Sequence, residues 1–222
     1  MERIRAIITG TTGMVGEGVL HECLNHPLVE QVLVVNRKSC GVVHEKLKEI
    51  IHSDFYDFTS IADQFAGYNA AFLCLGVTSV GKKEPEYIKL THTLTLHFAE
   101  IISSVNSDMT VCFVSGAGTD SSENGKSMWA RVKGKTENDL MKLPFKNVFA
   151  FRPGFIKPIP GLQNTHSFYK YINWLFPIGR LVYKSGFCTL KEVGLAMINT
   201  VNLNSKSKVI DGKEIIELAK IN

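Results

Sequence analysis

Two rhythms of apolar and polar positions alternate along this chain. Residues 3–9 (Arg-Ile-Arg-Ala-Ile-Ile-Thr) are a short apolar run stopped by Gly10, the pattern of a buried strand. A helical pattern follows from Gly13 to about Asn25 and ends before Pro27, since the residue ahead of a proline is biased away from helix. Further strand-length runs fall at Val32–Val35, residues 46–53, Ala70–Leu75, Thr110–Ser115 and Asn147–Phe151. Between them, helices are predicted over about Asp57–Phe65, after Pro85 and over 123–142. The helix after Pro85 is read from Tyr87, Leu90, Leu94, Phe98, Ile101 and Ile102 at helical spacing. Thr189 and Glu192 have the spacing of a capping box that opens a helix to about Val201. Val209-Ile210 and the stretch Glu214–Lys220 close the chain.

Strands of four to six apolar residues alternating with helices predict an α/β fold, a doubly wound parallel sheet of Rossmann type covered on both faces. With no linker or repeat in sight, residues 1–222 read as one domain, its core spanning 1–151. From 152 onward the rhythm loosens, and Pro153, Pro158, Pro160 and Pro177 break 152–188 into loops and short helices rich in aromatics. The 222 residues are long enough to bury a core without disulfide or metal staples. Five dispersed cysteines (Cys23, Cys40, Cys74, Cys112 and Cys188), with no C-x-x-C pair, read as reduced thiols of a cytoplasmic protein. No run of about 18 apolar residues and no signal segment is seen, so neither a membrane span nor a membrane partner is expected.

Charge is segregated. Residues 1–125 carry a net −6, residues 126–184 a net +9 and the remainder +1, giving +4 overall. The basic segment also holds Trp129, Phe155, Phe168, Tyr169, Tyr171, Trp174 and Phe176. Cations among aromatics suit a solvated face, an anionic small molecule or, least, a nucleic acid, since no helix-turn-helix or RNA-binding motif accompanies them.

The chemistry concentrates at Thr9-Gly10-Thr11-Thr12-Gly13-Met14-Val15-Gly16, between the first strand and the first helix. The first glycine permits a tight turn, the second lets a pyrophosphate approach the backbone, and the third lets helix and strand pack closely. The helix N-terminus adds free N–H groups and a positive dipole. This arrangement predicts dinucleotide binding. A site for NAD would place a carboxylate at the end of the second strand to accept from the ribose 2′-OH. Here Asn36-Arg37-Lys38 offers two cations, which suits the 2′-phosphate of NADP.

Beyond the glycine motif, several stretches fall in order along nearly the whole chain: Asp54-Phe55, Leu75-Gly76-Val77-Thr78, Val114-Ser115-Gly116-Ala117, Trp129-Ala-Arg-Val-Lys133-Gly134 and Arg152-Pro153-Gly154. Together they resemble the atypical or extended short-chain dehydrogenase/reductases, and within them the NmrA-like and Tat-interacting-protein-type oxidoreductases. The resemblance implies that Asp54 and Phe55 border the adenine, and that Leu75, Gly76, Val77 and Thr78 line the ribose and phosphate side. It also implies that Lys133 bonds the nicotinamide ribose, that Pro153, Gly154, Phe155 and Ile156 pass beside the nicotinamide, and that 152–222 builds the substrate side. Such enzymes carry Tyr-x-x-x-Lys, whereas Trp129 stands here at the tyrosine position, and an indole N–H does not exchange protons near neutral pH. Gly116 likewise follows Ser115 where a second serine is usual. Lys133, Ser115 and Trp129 are therefore the catalytic-site candidates, with Thr119, Tyr169 or Tyr171 as substitute hydroxyls. Three functions remain open: an NADP-dependent oxidoreductase or epimerase-type enzyme with an unusual proton donor, a non-catalytic NADPH-sensing module, or a nucleic-acid or scaffold protein. A homodimer or a regulatory protein partner fits any of them.

Overall fold

The computed structural model describes residues 1–165, 175–203 and 208–221. Seven parallel strands form one sheet in the order β3-β2-β1-β4-β5-β6-β9. In chain order they are β1 (Ile4–Thr9), β2 (Val29–Asn36), β3 (Leu47–Ile51), β4 (Ala70–Leu73), β5 (Thr110–Val114), β6 (Asn147–Arg152) and β9 (Val209–Asp211). Two further strands, β7 (Phe155–Lys157) and β8 (Phe187–Thr189), pair with each other in parallel, with Ile156 opposite Cys188. The helices are α1 (Met14–Asn25), α2 (Glu84–Ile88), α3 (Leu94–Val105), α4 (Met128–Leu140), α5 (Leu175–Val182), α6 (Leu190–Val201) and α7 (Gly212–Leu218).

Strand periodicity sorts the core into two layers. Ile4, Ala6 and Ile8 of β1 face one side, where they join Leu20 and Cys23 of α1 and Leu190, Val193 and Met197 of α6. Ile7 faces the other, with Phe58, Phe65, Phe98, Phe113 and Leu140. The first layer is tight because small residues let α1 and α6 approach. A Cβ on Gly18 would come 2.2 Å from Leu190, and one on Gly194 would come 2.7 Å from Glu22.

The doubly wound parallel sheet is as expected from the sequence, with four local differences. Residues Thr59–Phe65 wind as a tighter 3-10 helix. The helix after Pro85 is divided by a wide π turn at Lys89–Thr93 into α2 and α3. α4 begins at Met128 instead of 123, because the Asp120 carboxylate accepts from the Ser122 and Gly125 N–H groups and holds that stretch as a loop. Residues 152–188 contain the β7–β8 pair, too short to show a period. In a sheet of this order the crevice lies at the carboxyl ends of the strands where the winding reverses, between β1 and β4.

Candidate functional site

Two adjoining clefts open at that edge, and Leu75 lines both. The first, about 390 Å³, is bounded by Gly10 and Thr12 of the glycine loop, Asn36, Arg37 and Lys38 at the end of β2, and Phe55. The second, about 550 Å³, has the start of α1 (Gly13, Met14, Val15) on one wall and Cys74–Thr78 after β4 on another. Val114–Ala117 after β5, Lys133 of α4, and Pro153, Gly154 and Ile156 beyond β6 complete it.

Each glycine of the loop has its own physical reason. Gly10 has φ +77°, and a Cβ there would come 2.7 Å from the Cys74 backbone. A Cβ on Gly16 would come 2.2 Å from the Gly10 carbonyl oxygen, so this position holds the helix against the turn. Gly13 differs. Its φ of −113° suits any residue, and the nearest protein atom to a Cβ is 3.5 Å away. The protein itself therefore does not require glycine at position 13. Gly13 is also the N-cap of α1, and no side chain caps the helix. The first N–H groups of a helix lack intrahelical partners, which leaves those of Met14 and Val15 at the cleft wall. This is a cradle for an anion, and the residues present fit a dinucleotide pyrophosphate.

At the first cleft, Arg37 and Lys38 form no ion pair among the described residues, and the Arg37 guanidinium lies 6.0 Å from the centre of the Phe55 ring. A carboxylate does stand nearby, and reading strand ends alone missed it. Glu49 of β3 accepts from Ser39 Oγ (2.6 Å), the Cys40 N–H (2.8 Å) and Asn36 Nδ2 (3.3 Å). Burial pushes its pKa up, but these hydrogen bonds outweigh burial and hold it below the ordinary value. Asn36 is buried and also donates to Thr11 Oγ1 at 2.6 Å, joining the glycine loop to β2.

At the second cleft, the Lys133 ammonium donates to the Ser115 carbonyl oxygen. Burial pushes its pKa down to about 8, against the pull of Glu137. The Ser115 hydroxyl donates to the Phe151 carbonyl at 3.1 Å. Behind Lys133, the buried Glu137 carboxylate bonds the Arg152 guanidinium, an ion pair joining α4 to β6. The Glu17 carboxylate of α1 accepts from the Gln163 and Asn164 N–H groups, both at 2.7 Å, and ties the chain beyond β7 to the glycine loop's helix.

Several expected residues lie elsewhere. Asp54 is exposed and turns back to accept from the Tyr56 N–H at 2.8 Å, so it lines neither cleft. The Phe155 ring points away from the cleft, toward Phe176 and Phe187, with centroids 6.2 and 5.5 Å away. Trp129 also lines neither cleft. Its ring lies over the loop after β5, where a Cβ on Gly118 would come 3.6 Å from it. Thr119 closes a turn onto the Gly116 carbonyl at 2.8 Å. Tyr169 and Tyr171, with Phe168 and Trp174, fall outside the described residues.

Comparison with known proteins now adds the family. The sequence profile of the NAD dependent epimerase/dehydratase family matches residues 6–128, from β1 to the start of α4. The chain belongs to this family. It is 26% identical to the protein FMP52, mitochondrial, of Candida glabrata, over 98% of this chain and 97% of that protein. It is 25% identical to the rat protein HTATIP2, over 70% of this chain and 64% of that one. Among solved structures, ADP-L-glycero-D-manno-heptose-6-epimerase of Helicobacter pylori superposes with a TM-score of 0.65 at 18% identity, covering 99% of this chain and 82% of that one. MoeE5 in complex with UDP-glucose and NAD gives 0.68 at 16% identity, covering 97% and 80%. The resemblance to the atypical short-chain dehydrogenase/reductases holds, with a nicotinamide dinucleotide as the cofactor class. The cytoplasmic expectation is corrected, because the FMP52 relatives of Candida glabrata, Saccharomyces cerevisiae and Eremothecium gossypii are all named mitochondrial. Dispersed thiols report a reducing environment, and several compartments provide one.

Proposed function

We propose that this chain is an NADP(H)-dependent oxidoreductase of the atypical short-chain type, epimerase-like in framework, acting on an anionic small molecule with an unusual proton donor. The observation that carries the reading is the unpartnered N-terminus of α1 opening onto a cleft that ends in two unpaired cations. Gly13, Met14 and Val15 would hold the pyrophosphate through backbone N–H groups, with Gly76, Val77 and Thr78 on the opposite wall. Arg37 and Lys38 would hold the 2′-phosphate, with Phe55 and Leu75 beside the adenosine. Glu49 supports this preference, because its carboxylate is engaged by Ser39, Cys40 and Asn36 and is not offered to a ribose hydroxyl. The bound nicotinamide supplies hydride transfer. Lys133 would bond the adjoining ribose, while Pro153, Gly154 and Ile156 wall that end and exclude water.

Trp129 takes the tyrosine's place in the motif and moves no proton. Of the groups lining the second cleft, Lys133 is the one that holds a proton at Nζ with a pKa lowered toward the working range. A second reading, a non-catalytic NADPH sensor, is favoured by one observation: the indole of Trp129 lies outside the cleft and the Ser115 hydroxyl is already donating to Phe151.

Fluorescence titration with NADPH and NADH tests the cofactor. Wild type should prefer NADPH, and Arg37→Ala should weaken NADPH by about 1.5–3 kcal/mol while leaving NADH little changed. Equal affinities in wild type would sink the preference. NADPH oxidation over a panel of carbonyl compounds separates the two readings. Slow turnover that disappears in Lys133→Ala supports the enzyme, and tight binding with no turnover supports the sensor.

A further inference from the structure

Helix α5 reverses the usual arrangement of a surface helix. Its inward side is occupied by Phe176, packed on Phe155 and Phe187, and by Gly179, where a Cβ would come 2.3 Å from the Phe187 ring. Arg180 also turns inward, donating to Glu192 (2.6 and 2.9 Å) and to the Phe187 carbonyl (2.6 Å). The outward stripe is Ile178, Leu181 and Val182, spaced i, i+3 and i+4, and it is 55, 87 and 80% exposed. Tyr183, just past the helix, is 63% exposed. A solvated stripe at this spacing ordinarily carries polar residues, and a contiguous exposed apolar patch marks a contact surface.

The charges around the patch say what covers it. Lys184 and Lys191 are exposed. Lys213 is exposed beside them, because the Gly212 backbone packs against Ser185. None of the three forms an ion pair among the described residues. The acids close by are already engaged: Glu192 by Arg180 and the Thr189 N–H, and Asp211 and Glu214 in the capping box of α7. The rim is thus cationic around an apolar centre. A second copy docked across a two-fold axis would bring one lysine rim against the other, and like charges repel. An anionic lipid surface complements both parts, with acyl chains for the stripe, headgroup phosphates for the lysines and the interface for Tyr183.

We propose that the α5 face docks the protein peripherally on an anionic lipid surface. This goes beyond the cofactor reading and does not depend on it. A peripheral contact needs no span, and among the described residues no helix is long and apolar enough to cross a membrane. The expectation of no membrane partner rested on the missing span alone.

The test is co-sedimentation of the full chain with vesicles of phosphatidylcholine alone, or of phosphatidylcholine with about a third phosphatidylglycerol. Wild type should bind the anionic vesicles about tenfold more than the neutral ones and should be released by salt. The double variant Leu181→Glu with Val182→Glu should lose about tenfold in binding at an unchanged melting temperature, since both side chains already face water. No binding by wild type, or equal binding by the variant, overturns the proposal. So does a wild-type dimer that the variant converts to monomer, which would assign the patch to a second copy.

Discussion

The two ends of the cleft are built by different means. At the glycine loop, recognition rests on backbone: Gly10, Gly13 and Gly16 shape a turn whose N–H groups do the binding, and Thr11–Asn36 is the longest link in sequence. At the Lys133 end it rests on side chains from distant places: Lys133 on Ser115, Arg152 on Glu137, and Glu17 on Gln163 and Asn164. Backbone recognition is announced by residue spacing. Side-chain convergence is announced only by the fold, because each partner is an ordinary polar residue until the strands bring it into place.

The largest expected effect lies inside the glycine loop. Gly16→Val forces a Cβ to within 2.2 Å of a backbone carbonyl that cannot yield, and should cost about 3 kcal/mol or more in denaturant unfolding. Gly13→Val should change stability by less than about 1 kcal/mol, yet abolish NADPH binding in a fluorescence titration. Normal binding by Gly13→Val would reduce the loop to a structural turn and erase the contrast between the two ends.

Next is Glu137→Ala, at the other end. It leaves the Arg152 guanidinium against a largely buried surface without its counter-charge, and should cost about 3–5 kcal/mol. A loss below about 1 kcal/mol in urea titration would mean that water reaches Arg152 and that the pair does not hold α4 to β6.

Legibility in the sequence follows the same division. Residues 4–36 are readable because strand period, glycine spacing and helix follow one another without interruption. The parallel sheet is readable for the same reason. Asp54 was misplaced because its position after a strand suggested an adenine contact, whereas its carboxylate closes a turn on Tyr56. Phe155 was misplaced because β7 pairs with β8, which turns the ring toward Phe187, and no local pattern reveals a pairing 32 residues away. Glu49 and Glu137 were missed as site residues because a carboxylate in a strand or helix carries no sequence sign of the hydrogen bonds it will receive.

A smaller effect links stability to pH at Lys133. Burial lowers its pKa from the ordinary 10.5 to about 8, so below pH 8 the ammonium is charged in both folded and unfolded chains and the full penalty acts. Between pH 8 and 10.5 the folded chain releases the proton first, and stability rises with pH. Part of the side chain faces the open cleft, which limits the penalty to about 1–3 kcal/mol at neutral pH. Lys133→Met should therefore stabilise the cofactor-free protein at pH 7 by that order and flatten the rise between pH 8 and 10.5. Identical pH profiles for the two proteins would show that the amine is solvated and that its lowered pKa is not available for chemistry.

The smallest effect isolates the far region from the cleft. Thr189 caps α6, accepting from the Glu192 N–H at 3.1 Å while the Glu192 carboxylate accepts from the Thr189 N–H at 2.7 Å. Thr189→Ala removes one half of this box and should cost about 1 kcal/mol, a fall of about 2–4 °C in melting temperature for a chain of this length. Glu192 retains Arg180 in the variant, so α5 should keep its place against Phe187. Affinity for NADPH should then be unchanged, since the glycine loop touches this cap only through the packing of α1 on α6. A loss of affinity of more than about 1 kcal/mol alongside the modest loss of stability would show the two regions coupled through that helix pair. The cleft's two ends would then differ in construction but not in thermodynamics.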